Sequence, residues 1–142
     1  MKKVLILCTG NSCRSIMAEA LINHYLGDKY KACSAGVEPS VINPWAVRVL
    51  TELGIDTGEY YSKSVSEFIN RDDLDLVITV CDHAKESCPV FHKPIPQVHL
   101  GIEDPAPYTA CPEEEALMAF RQARTDVLEV VVGYLERLWV RR

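Results

Sequence analysis

Lys3-Val4-Leu5-Ile6-Leu7-Cys8-Thr9-Gly10-Asn11-Ser12-Cys13-Arg14-Ser15 joins a short apolar run to a polar loop that opens a segment of helical pattern. An apolar run of this length bounded by turn residues reads as a buried strand, here Lys3 to Leu7. The five residues between Cys8 and Arg14 then form a strand-to-helix turn. Successive N–H groups of such a turn can converge on an anion, and the helix behind adds its positive dipole end. Arg14 supplies a planar fork of donors suited to two oxygens of a tetrahedral oxyanion. The same field favours the thiolate of Cys8, which makes it the candidate nucleophile. Thr9, Gly10, Asn11, Ser12, Cys13, Arg14 and Ser15 are the candidate oxyanion-binding residues. Ser15 can also donate its hydroxyl to the thiolate or cap the helix.

Outward from this loop, strand and helix patterns alternate. Ile16 to Leu26 predicts an amphipathic helix, with Met17, Leu21 and Tyr25 on one stripe beside Ala18 and Ile22, and Gly27 as its stop. Tyr30 to Ala35 predicts a second strand ending at Gly36, and Pro44 to Leu53 a second helix closed by Gly54. A short helical turn follows over Val65 to Asn70, then a β-branched run, Leu74 to Val80, that reads as a buried strand. Residues 81–96 carry three prolines and predict a long loop before a brief fourth strand, Gln97 to Leu100. A last helix runs from Pro112 to Leu138, its stripe formed by Leu117, Phe120, Val127, Val131, Tyr134 and Leu138. The alternation predicts a single α/β domain over residues 1–142, three-layered, with a four-stranded parallel sheet flanked by helices. In such sheets ligands sit outside the carboxyl ends of the strands at the switch point, so Cys8 and Cys81 belong at one edge.

The chain has 142 residues, 48% hydrophobic and 25% charged, which is enough to bury a continuous core without staples. A net charge of −5 with no basic stripe argues against nucleic-acid binding. No apolar stretch approaches membrane-spanning length, and the run after Met1-Lys2-Lys3 is too short for a secretory signal. A cytoplasmic monomer is the expected form. Without a signal, the six cysteines point to catalytic or redox use rather than a disulfide framework.

Asp104-Pro105 follows the fourth strand at the same sheet edge and supplies a candidate general acid, with Glu103 as the competing carboxylate. A turn Asp before proline is the plain alternative. Cys81 and Cys88 lie in Cys81-Asp82-His83-Ala84-Lys85-Glu86-Ser87-Cys88. They read as inert buried thiols, as zinc ligands with His83 and His92, or as a redox relay in which Cys81 attacks Cys8 and Cys88 resolves the disulfide. A relay requires the segment to be mobile, and to unwind if it is helical. Cys13 is expected to pack inward, Cys33 to sit in the core and Cys111 to be exposed.

Cys8 with Arg14-Ser15 and the late Asp104-Pro105 resembles the low-molecular-weight protein tyrosine phosphatase fold. The fuller pattern adds Met17-Ala18-Glu19, Ser34-Ala35-Gly36, Val80-Cys81, Cys88-Pro89 and Asp104-Pro105-Ala106, and looks like the thioredoxin-coupled arsenate reductases. The resemblance covers essentially the whole chain. It implies that Cys8 attacks arsenate held by the loop and Arg14, and that Asp104 protonates the departing hydroxide. Cys81 and then Cys88 would relay the disulfide outward to thioredoxin. Phosphate and sulfate would compete for the loop, and no bound cofactor is implied. Such proteins can hold potassium through positions matching Asn11, Glu19 and Ser34. Here Lys63 stands where a further acidic ligand would align, so its ammonium is expected to replace the ion and Asn11 to pin the loop. The alternative function is phosphoester hydrolysis through Cys8, Arg14 and Asp104.

Overall fold

The computed structural model describes residues 1–141 and places four strands in one parallel sheet. These are β1 (Lys2–Cys8), β2 (Tyr30–Gly36), β3 (Leu76–Thr79) and β4 (Gln97–His99), in spatial order β2-β1-β3-β4. Val4, Leu5, Ile6 and Leu7 are all buried, as a central strand covered on both faces demands. The chain leaves β1 towards β2 and then returns across it to β3. The topological switch therefore lies between the carboxyl ends of β1 and β3, where Leu7 pairs with Thr79.

Helix α1 (Arg14–Tyr25) packs on β1 and β2, and α2 (Pro44–Thr51) and α4 (Glu113–Val127) pack on it and on each other. This changes the expected pattern of α1. Eight consecutive residues, Ser15 to Ile22, are buried, while Tyr25 projects to solvent. A helix enclosed by sheet and helices has no polar face over its first two turns, and it becomes amphipathic where it emerges.

The final helical stretch also departs from the simple pattern. After α4 a turn of π-helix, Leu128–Val132, leads into α5 (Gly133–Val140). Val127, Val131 and Leu135 are buried at every fourth position, a spacing the wider turn keeps in line. Leu135 therefore takes the core place expected of Tyr134, which is half-buried. The expected loop at 81–96 contains a short helix, α3 (Asp82–Glu86). Its first turn forms because Cys81 acts as the N-cap and its sulfur accepts the Ala84 N–H. Among the described residues no helix is long and apolar enough to cross a membrane.

Candidate active site

The loop after β1 is held from outside by its carbonyls. Those of Cys8, Thr9, Gly10 and Ser12 accept N–H groups from Val37, Glu38, Ser40 and Asn43, all in the segment between β2 and α2. Gly10 O also receives the Ser62 hydroxyl at 3.0 Å. Inside the turn the Asn11 N–H points at Cys8 Sγ at 3.2 Å. Gly36 makes this closeness possible. A Cβ there would lie 2.7 Å from Thr9 O and 2.9 Å from Asn11 N.

Asn11 sits at φ 50°, in the left-handed region that asparagine tolerates better than most residues. It is fully buried and uses every side-chain atom it has to hold the loop. Nδ2 donates to Ser15 Oγ at 2.7 Å and to Ser34 Oγ at 2.9 Å, and Oδ1 accepts the Lys63 N–H at 2.9 Å. Ser15 Oγ in turn lies 2.8 Å from Cys8 Sγ. Ser15 contacts Cys8 and does not cap α1, which has no side-chain cap. Behind it, Ser34 donates to Glu19 Oε1 at 2.5 Å, and the Lys63 ammonium lies 4.0 Å from the same oxygen while donating to Tyr61 O at 3.0 Å. Burial pushes the Glu19 carboxyl up, and the Ser34 hydroxyl and Lys63 ammonium pull it part of the way back. Ser34 and Gly36 do more here than the sequence suggested. The signal was the Ser34-Ala35-Gly36 run, three small residues where a strand meets a loop.

Arg14 Nη1 donates to Ile102 O at 3.1 Å, and Nη2 lies 3.6 Å from Asp104 Oδ2. The structure thus brings Asp104, distant in sequence, to the anion loop. Its other oxygen accepts the Ala106 N–H at 2.9 Å, a local turn that orients the carboxylate. Cys13 is buried inside the loop, and burial pushes its thiol up to about 11, so it stays protonated at neutral pH.

Cys81 follows β3 at the same edge, and its sulfur lies 3.2 Å from Thr9 Oγ1. Cys88 is at the far end of α3, half-buried, with its thiol directed at Pro89 O at 3.8 Å. Burial pushes that thiol up as well. Cys81 caps the start of α3 and Cys88 lies two residues beyond its end, so the helix stands between the two thiols. All six cysteines are free. His83 faces Glu38 at 3.7 Å and His92 faces Asp72 at 3.4 Å, so the two histidines suggested as zinc ligands point to different carboxylates. Among the described residues no group of three such side chains is placed to hold a metal. Cys33 is half-buried rather than in the core, and Cys111 is half-buried too.

The low molecular weight phosphotyrosine protein phosphatase family matches residues 3–139. An arsenate reductase of Halalkalibacterium halodurans is 40% identical over 135 residues, 95% of this chain and 96% of that protein. One from Bacillus subtilis is 41% identical over 129 residues, 89% of each. A solved arsenate reductase in the intermediate state superposes with a TM-score of 0.75 at 30% identity, covering 97% of this chain and 99% of that one. The anion loop, the carboxylate brought to it from across the sheet edge, and these likenesses agree: the chain belongs to the low molecular weight phosphotyrosine protein phosphatase family, alongside its arsenate reductases.

Proposed function

We propose that this protein reduces arsenate to arsenite through Cys8, Cys81 and Cys88, with thioredoxin removing the final disulfide. The observation that carries the reading is the contact between Cys81 Sγ and Thr9 Oγ1, which sets a second thiol against the anion loop. A hydrolytic phosphatase has no use for one there. The relatives named as arsenate reductases support the same substrate.

The chemistry proceeds in four steps. Arsenate enters the loop and is held by its amides and by Arg14. Cys8 Sγ attacks arsenic, and Asp104 protonates the departing hydroxide, so that water leaves and a sulfur–arsenic(V) bond forms. Cys81 then attacks Cys8 Sγ. The sulfur–arsenic bond breaks with its electron pair staying on arsenic, which is thereby reduced to arsenic(III) and released as arsenite. A Cys8–Cys81 disulfide remains. Finally Cys88 attacks Cys81, freeing the Cys8 thiolate and leaving a Cys81–Cys88 disulfide that thioredoxin reduces by dithiol exchange.

The protein needs no resident potassium for this. Asn11 Oδ1 is already bonded to the Lys63 main chain, Ser34 directs its proton at Glu19, and the Lys63 ammonium supplies the positive charge beside that carboxylate. Such a donor set does not fit a further cation. Turnover is expected to be the same in potassium and sodium salts, and activation by potassium would overturn the point.

The deciding assay is arsenite production by the purified protein with thioredoxin, thioredoxin reductase and NADPH. One NADPH should be consumed per arsenite formed. Hydrolysis of aryl phosphates without arsenate-dependent NADPH oxidation would replace this reading with the phosphatase one.

A further inference from the structure

Asn43 touches both halves of the site. Its main-chain N–H donates to Ser12 O at 2.9 Å, inside the anion loop. Its side chain, at the N-cap of α2, accepts the Trp45 N–H at Oδ1 and donates from Nδ2 to Thr109 Oγ1 at 3.0 Å. Trp45 Nε1 reinforces this by donating to Thr109 O at 3.1 Å. Thr109 in turn donates to Ala106 O at 2.7 Å, and the Ala106 N–H holds Asp104 Oδ1 at 2.9 Å. A continuous hydrogen-bonded path therefore runs from the loop that cradles the anion to the carboxylate that must protonate its leaving group.

We propose that Asn43 is a positioning residue that holds Asp104 over the anion loop by way of Thr109. Asp104 needs such help. Its side chain is 44% exposed, and its charged neighbour Arg14, at 3.6 Å, has a competing task once an anion arrives. When Arg14 turns both donors to the oxyanion, the Asn43–Thr109–Ala106 path still fixes the acid loop. Proton transfer in the transition state depends steeply on placement, and a displacement near 1 Å costs on the order of 100-fold in rate. The path is distinct from the anion cradle itself, since only the main chain of Asn43 touches Ser12.

The inference rests on the reading of Asp104 as general acid given above, and its test separates the two. Asn43→Ser keeps a helix cap but is too short to reach Thr109, and Thr109→Val removes the receiving hydroxyl at an exposed position where folding is not at stake. The rate of arsenite release in the first turnover is measured for the native protein, for both variants, for Asp104→Asn, and for each variant combined with Asp104→Asn. Inhibition by inorganic phosphate is measured alongside.

Each variant should lower the first-turnover rate roughly tenfold, leave phosphate affinity unchanged, and have no further effect once Asp104 is replaced. An equal loss in the Asp104→Asn background, a parallel loss of phosphate affinity, or no loss at all would overturn the proposal. If the native protein releases no arsenite, the arsenate reading falls. The same set is then read by p-nitrophenyl phosphate hydrolysis, where the same pattern of dependence still tests Asn43. Absence of turnover on both substrates overturns both.

Discussion

The anion loop, residues 8–15, and the segment proposed as the relay, Cys81 to Cys88, adjoin each other at the sheet edge, yet they are built on opposite physical terms. In the loop, Asn11 and Ser15 are wholly buried, the carbonyls are tied to the chain beyond β2, and Gly36 lets that strand close on the turn. In the relay segment, Asp82, His83, Lys85, Glu86 and Ser87 are exposed, and α3 is five residues long. A helix this short has no intrinsic stability and persists through its contacts. The contacts gather at its first turn, where Cys81 caps Ala84 and His99 Nε2 lies 3.2 Å from Asp82. On the proposed mechanism the contrast is a division of labour. Oxyanion chemistry needs fixed donors, whereas carrying a disulfide outward needs a segment that comes apart at one end while the other stays fixed.

The largest expected effect breaks the relay and leaves the loop whole. Cys88→Ser should release one equivalent of arsenite per protein and then stall, with multiple turnover falling to background; rapid quench followed by arsenite quantification reads this. Continued turnover would show that Cys88 has no part in the relay. A second effect sharpens the contrast directly. Hydrogen exchange at residues 82–88 should rise markedly on oxidation by arsenate, while residues 9–15 change little. Equal protection of α3 in both redox states would remove the mobile half of the comparison.

Perturbing the rigid half should be felt as stability. Asn11→Ala leaves buried partners at Ser15, Ser34 and Lys63 and places alanine at a left-handed φ, so unfolding free energy should drop by about 2–4 kcal/mol in denaturant titrations. The smallest effect comes from outside both regions. Arg121 and Arg124 clasp Glu52 between α2 and α4, and the Arg121 hydrogen bond is the main cause holding its carboxyl down to about 2. A depressed carboxylate stabilises the fold above its ordinary value near 4.5, and the gain is lost as pH falls towards about 2. These side chains lie at the surface, where solvent and salt screen the interaction, so the effect is small. Glu52→Gln should flatten the stability profile across that window, as read by denaturant titrations at several pH values.

Much of this was legible because local and global preferences agree. The apolar run Val4 to Leu7, the polar turn and the helical pattern together placed a strand, an anion loop and a helix to within two residues of their observed limits. The parallel sheet followed from alternation alone. Less legible was α3, because the prolines beyond it mark the region as loop and a five-residue helix leaves almost no periodicity to read. The π turn escaped for a related reason, since a one-residue widening leaves the apolar residues in place and alters only which of Tyr134 and Leu135 faces inward. The all-round burial of α1 depended on neighbours that no stretch of its own residues can announce.

By itself the amino-acid sequence determined what is encoded within a few residues: where the strands run, which thiol ends the first of them, and that an arginine and a helix terminus stand behind it. Tertiary structure alone decided which distant groups gather around the loop that follows that thiol. Thr9 reaches Cys81, Asn11 gathers Ser34 and Lys63, and Asn43 reaches Thr109, through bonds that span 23 to 72 positions. Such pairings leave no periodic trace, because a hydrogen bond across the fold depends on how whole elements pack and on no spacing along the chain.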